Sequence, residues 1–121
     1  MIATEDAHNN LKFTMKRYGS VIKVRPEKFE EYKVLHADAW PAVLEQIKKS
    51  NIENYSIYHK DGWLFSYFEY TGHDYEADMA AMAADPTTQK WWDVCKPCHD
   101  PLATRQEGEW WADMEEVFHL D

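Results

Sequence analysis

The sequence predicts an α+β fold in which the elements run β-α-β-β-α-β and the strands form one four-stranded antiparallel sheet. Three observations carry that prediction. Runs rich in β-branched and aromatic residues at positions 17–24, 54–59, 63–70 and 115–120 read as strands. Two intervening stretches, 26–49 and 74–93, carry helical spacing or helix-forming composition. The length of 121 residues with 45% apolar content supplies one compact core and not a second independent one.

The first strand, residues 17–24, holds Tyr18, Val21, Ile22 and Val24 and stops at Arg25-Pro26, where proline removes a ladder donor. Pro26 suits the first turn of a helix, and Glu27, Glu30 and Glu31 favour the positive end of its dipole. Phe29, Tyr32, Leu35, His36, Ala39 and Trp40 follow at three- and four-residue spacings on one side, an amphipathic pattern. Pro41 interrupts it, so the spacing predicts a kink or a fresh start there, continuing through Val43, Leu44 and Ile47 to about Lys49. Residues 54–59 alternate Tyr55, Ile57 and His59 with Asn54, Ser56 and Tyr58. Lys60-Asp61-Gly62 then turns the chain into 63–70, a β-hairpin signal. Residues 74–84 read as a helix rich in Ala and Met, broken at Asp85-Pro86, with a shorter helix over 86–93 that carries Trp91 and Trp92. Pro97, Pro101 and Gly108 mark a long loop before the final strand at 115–120. This order is that of ferredoxin-like split folds, with helices gathered on one sheet face. Alternating apolar residues on the other face predict a symmetric homodimer. Residues 1–14 are polar and aperiodic and read as an extension outside the domain, which spans 15–121.

Charge and composition narrow the function. Thirteen Lys and Arg against 22 Asp and Glu leave a net charge of −9, which disfavours nucleic acid and anionic membranes as partners. The start of the chain lacks the pattern of a secretory signal, and no run of about 18 apolar residues predicts a membrane span. With only two cysteines, Cys95 and Cys98, the expected setting is the reducing cytoplasm. Cys95-Lys96-Pro97-Cys98 is one pair where a structural zinc site usually takes two, and it follows a helix where a redox motif would follow a strand. His59, His73 and His119 share no metal-ligand spacing, and the chain has neither a glycine-rich phosphate loop nor a glycine-flanked serine nucleophile. Neither a metal nor an organic cofactor is expected.

Six Trp, seven Tyr and five Phe are more aromatic surface than so small a core absorbs, so some should line a pocket or an interface. Tyr32, His36 and Trp40 recur every four residues, a spacing that a helix stacks on one face. His36 is then either a general acid/base, its ordinary pKa near 6.5 suiting proton exchange, or a core histidine satisfied by a backbone carbonyl. Trp91 and Trp92 point about a quarter-turn apart, so one can face the core while the other forms a pocket wall, or both simply pack. An indole face suits the C–H face of a sugar.

The run from Glu30 through Tyr32, His36 and Trp40 to Pro41, then Asn54-Tyr55, then Gln89-Lys90-Trp91-Trp92, and finally Glu115-Glu116-Val117-Phe118-His119-Leu120 resembles the L-rhamnose mutarotase family. The resemblance runs from about Met15 to the C-terminus. It implies a dimeric ferredoxin-like protein, forming an α/β-barrel-like assembly, that interconverts the α and β anomers of a 6-deoxy-L-hexose, L-rhamnose or L-fucose, without a cofactor. It further implies His36 as the proton donor and Tyr32, Tyr55, Trp91 and Trp92 as substrate-binding residues. The chain departs from better-known bacterial members in its N-terminal extension and around Cys95–Cys98 and Arg105–Trp111. Two other readings use the same residues: a cofactor-free dimeric monooxygenase or lactone isomerase, and a non-catalytic sugar-binding or assembly module.

Overall fold

A computed structural model describes residues 15–121; the expectation for residues 1–14 lies outside the described residues. Strand β1, Lys16–Val24, leads into a 3-10 turn at Pro26–Lys28 and helix α1, Phe29–Ala37. Helix α2, Pro41–Lys49, precedes the hairpin of β2, Ile52–Lys60, and β3, Trp63–Tyr70. Helices α3, Tyr75–Ala84, and α4, Pro86–Cys95, follow, then a 3-10 turn at Lys96–Cys98 and two short strands, β4, His99–Asp100, and β5, Ala112–Met114.

All strand pairs are antiparallel, in the order β2-β3-β1, with β4 and β5 sharing the free edge of β1. β4 pairs with Lys23 and Val24 and β5 with Gly19 to Val21, so together they occupy the place of one broken edge strand. The α+β class and the antiparallel sheet agree with the sequence, but the final strand does not lie at 115–120. That segment has no regular structure, and Val117, Phe118 and Leu120 are each about four-fifths exposed. The pairing capacity of β1 is taken instead by β4 and β5, and the tail is tied down by the Arg17–Glu116 ion pair at 3.0 Å.

Proline also explains how the first helical region divides. Trp40 precedes Pro41, and a residue before proline is pushed out of the helical region; Trp40 has φ −64° and ψ 129°. The expected stripe therefore ends at Ala37, and the structure takes the fresh-start option, with Pro41 in the first turn of α2. In the hairpin, Asp61 at φ 51° and Gly62 at φ 86° supply the two left-handed residues that a tight two-residue turn requires. A bulge between Glu53 and Ser56, with Asn54 at φ 50°, reorients the strand at Tyr55.

The helices cover the sheet face of Ile22, Val24 and Leu64, which pack with Tyr32 and Cys98 in one core cluster. A second cluster, Val43, Trp91 and Cys95, joins α2 to α4. On the opposite sheet face, Tyr58 on β2 pairs with Phe65 on β3, Trp63 lies two residues before Phe65, and Met114 pairs with Gly19 on β1. Those four side chains are 36–66% exposed.

Candidate active site

A cavity of about 540 Å³ opens between the helical layer and the sheet, within the usual range for small-molecule sites. His36 and Trp91 form part of its wall with Trp92, Tyr55 and His99, and Trp110 and Trp111 from the loop before β5 join them. Among the described residues that line it, none is a carboxylate. The large negative charge of the chain thus stays out of the cavity, whose one Lys or Arg side chain among the described residues is Lys96.

Helix α4 presents Trp91 and Trp92 because Asp85 caps it, accepting from the Thr88 N–H at 2.8 Å and the Thr88 hydroxyl at 2.9 Å. Trp91 is buried and Trp92 half-buried, so the quarter-turn between neighbours sends one indole into the core while both reach the cavity. Trp91 meets His36 and Trp40 edge-on, each at 5.2 Å between ring centroids. Trp40 therefore supports Trp91 from outside the helix, and does not extend the Tyr32–His36 stack as the four-residue spacing predicts.

His36 and Tyr32, one turn apart on α1, stack with centroids 4.1 Å apart. The Nδ1 of His36 lies 2.8 Å from the Tyr32 carbonyl oxygen. A carbonyl only accepts, so Nδ1 carries the proton, and Nε2 is left with its lone pair and no partner among the described residues. The reading of His36 as satisfied by a backbone carbonyl holds for one ring nitrogen, and the other is left without a partner among the described residues. Burial lowers the His36 pKa, partly offset by the bond to the carbonyl, so the resting imidazole at neutral pH is uncharged.

Tyr32 does not line the cavity. It is buried immediately behind the wall, its hydroxyl 3.1 Å from the Nε2 of His99 and its ionisation pushed far up, first by burial. Tyr55 differs: 44% of its surface is exposed at the rim, while its hydroxyl end is buried in the cavity and its pKa is pushed up to about 12, again chiefly by burial. Both tyrosines are neutral hydrogen-bonding groups at physiological pH. Cys95 and Cys98 are free and buried; burial raises both thiols, Cys95 to about 12, so both are protonated at physiological pH. Among the described residues no group of three His, Cys, Asp or Glu side chains is arranged to hold a metal ion.

Sequence reasoning marked the Arg105–Trp111 segment as a loop that could shape the pocket but assigned no site role to His99, Trp110 or Trp111 individually. His99 was visible only as the residue after a cysteine pair, and Glu109-Trp110-Trp111 lies in a loop where no periodicity says which way a side chain points. A second tandem tryptophan in an aromatic-rich chain was the available signal.

The model of the L-rhamnose mutarotase family matches residues 17–120. A curated L-rhamnose mutarotase from Oceanobacillus iheyensis is 34% identical over 115 residues, spanning 88% of this chain and all of the relative. The chain belongs to the L-rhamnose mutarotase family. Its fold matches that of an L-rhamnose mutarotase from Formosa agariphila, with a TM-score of 0.68 at 21% identity over 88% of this chain and 99% of the other. A tetracenomycin F2 cyclase from Streptomyces glaucescens has a similar fold, with a TM-score of 0.67 at 12% identity over 88% of this chain and 97% of that one. The same architecture thus hosts different chemistries, and the site has to decide between them. Among the described residues no helix is long and apolar enough to cross a membrane.

Proposed function

We propose that this mutarotase-family chain interconverts the α and β anomers of a 6-deoxy-L-hexose, with L-rhamnose as substrate, by acid/base ring opening and closing in the cavity around His36. The observation that carries the reading is the bare Nε2 of a neutral histidine in the wall of an aromatic cavity free of carboxylates. Nε2 takes the proton of the anomeric hydroxyl, the bond from C1 to the ring oxygen breaks, and the ring oxygen receives a proton from the imidazolium. Both oxygens are bonded to C1, so one nitrogen serves both without relocating. Rotation about C1–C2 turns the other face of the aldehyde toward the C5 hydroxyl, and closure runs the same transfers in reverse. The donor role implied for His36 becomes the second half of its cycle. Trp91 and Trp92 hold the apolar sugar face, and Tyr55 offers its hydroxyl to a sugar oxygen.

Saturation-transfer NMR between the two anomers of L-rhamnose tests this directly. The wild-type protein is expected to raise the exchange rate well above that of buffer. Sugar binding with exchange left at the buffer rate would instead mark a binding module.

The protein works in the cytoplasm as a homodimer. Support for the dimer is the sheet face of Tyr58, Trp63, Phe65 and Met114, which the helices leave uncovered, together with the apolar tail of Val117, Phe118 and Leu120. A second copy covers such a face symmetrically. Phe65→Glu would place two like charges in that apolar contact and is expected to weaken association by about 100-fold or more. Light scattering should show wild type at twice the chain mass and the variant at the chain mass. A wild-type monomer, or an unaffected variant dimer, refutes this interface.

A further inference from the structure

From the cavity wall inward, Trp110, His99 and Tyr32 form a chain of hydrogen bonds that the proton exchange itself does not use. The Trp110 Nε1–H donates to His99 Nδ1 at 3.0 Å, and His99 Nε2 lies 3.1 Å from the Tyr32 hydroxyl oxygen. An indole N–H is a donor only. If His99 also carried a proton on Nδ1, two donors would face each other, so the neutral ring holds its proton on Nε2. That N–H then donates to the Tyr32 oxygen, and the Tyr32 hydrogen is turned elsewhere.

We propose that His99 and Trp110 are positioning residues that fix Tyr32, so that its ring stays stacked on His36 and its carbonyl holds the His36 tautomer with a bare Nε2. The proposal rests on the mutarotase reading for the reaction that this alignment serves. Tyr32 is clamped at three places: its hydroxyl by His99, its ring by the stack on His36, and its carbonyl by the His36 Nδ1–H.

The groups around His99 support the same protonation pattern. Burial first, then the neighbouring His36 and Lys96, lower its pKa to about 4, so the ring stays neutral and singly protonated at physiological pH. Trp111 meets it edge-on at 5.4 Å between centroids and completes its enclosure. Both nitrogens of His99 are engaged by protein groups, which excludes it as a second acid/base and leaves orientation as its contribution.

Nitrogen-15 NMR of histidine-labelled wild type, without sugar, should show a protonated Nε2 and a bare Nδ1 for His99. Trp110→Phe, which keeps an aromatic ring but removes the donor, should shift that ring toward a mixture of tautomers. In anomer exchange, His99→Leu is expected to lower kcat by about tenfold, the scale of one lost hydrogen bond. His99→Gln can accept from Trp110 and donate to Tyr32 through one amide, so it should recover most of that loss. A protonated Nδ1 in the wild type would overturn the proposal, as would a folded His99→Leu protein with wild-type kcat, or a His99→Gln protein as impaired as His99→Leu. Failure of the wild type itself to accelerate exchange would strike the mutarotase reading, and the tautomer measurement separates that outcome from failure of the hydrogen-bond chain.

Discussion

Replacing His36 by alanine is expected to lower enzyme-catalysed anomer exchange of L-rhamnose by ~10²- to 10⁴-fold, the range that one well-placed acid/base group contributes. His36 has the only bare ring nitrogen in this arrangement: both nitrogens of His99 are engaged by Trp110 and Tyr32. Tyr55 cannot substitute as a base, because a hydroxyl with a pKa near 12 stays protonated. The loss should fall on kcat, with KM changed less, since the tryptophan walls remain. The pH profile supplies an independent check. His36 must be neutral to take the first proton, and burial lowers its pKa, so wild-type kcat/KM should hold through neutrality and fall only below the ordinary histidine range. Activity that rose on acidification would mean that the protonated ring starts the reaction. A folded His36→Ala protein that exchanges anomers at the wild-type rate would remove His36 from the mechanism.

How far the site could be read from sequence depends on where each residue sits. The Tyr32–His36 stack was legible because four-residue spacing inside a regular helix determines which side chains meet. The same spacing misplaced Trp40, since Pro41 removes it from the helix before the periodicity can act. Helical geometry said that only one of Trp91 and Trp92 faces the core squarely, as Trp91 does, but not which one, nor that both reach the cavity. His99 and Trp110 obey no local period: they are brought to Tyr32 by a short strand that pairs with Val24 and by a loop that returns to the edge of β1. Their meeting is a consequence of tertiary pairing. The last strand was misread for a related reason, because Val117, Phe118 and Leu120 have strand-like composition but β1 has already spent its edge on β4 and β5.

Acidification from pH 6.5 to pH 4 should destabilise the wild-type protein through His99, and a His99→Gln protein should escape that part of the loss. The ring is 5% exposed, and its pKa falls from the ordinary 6.5 to about 4. In this interval the unfolded chain binds a proton that the native site refuses, so stability rises with pH. The contribution is complete above about 6.5, declines through the interval and is gone below about 4. A displacement of this size corresponds to about 3 kcal/mol, a large share of the stability of a domain this small. His36 adds in the same direction, since its pKa is also lowered. The carboxylates of Glu69, Asp78 and Glu116 are depressed below their ordinary values by hydrogen bonds, so the stability they contribute is lost only at still lower pH. Urea midpoints measured at fixed protein concentration across pH 7.5 to 4.5 should therefore diverge between the two proteins, wild type falling more steeply. Parallel curves would show that His99 is not held neutral by its surroundings. Protonation of His99 also sets an N–H against the Trp110 N–H, so the acid step that weakens the fold should loosen the hydrogen-bond chain that holds Tyr32 in the same pH range.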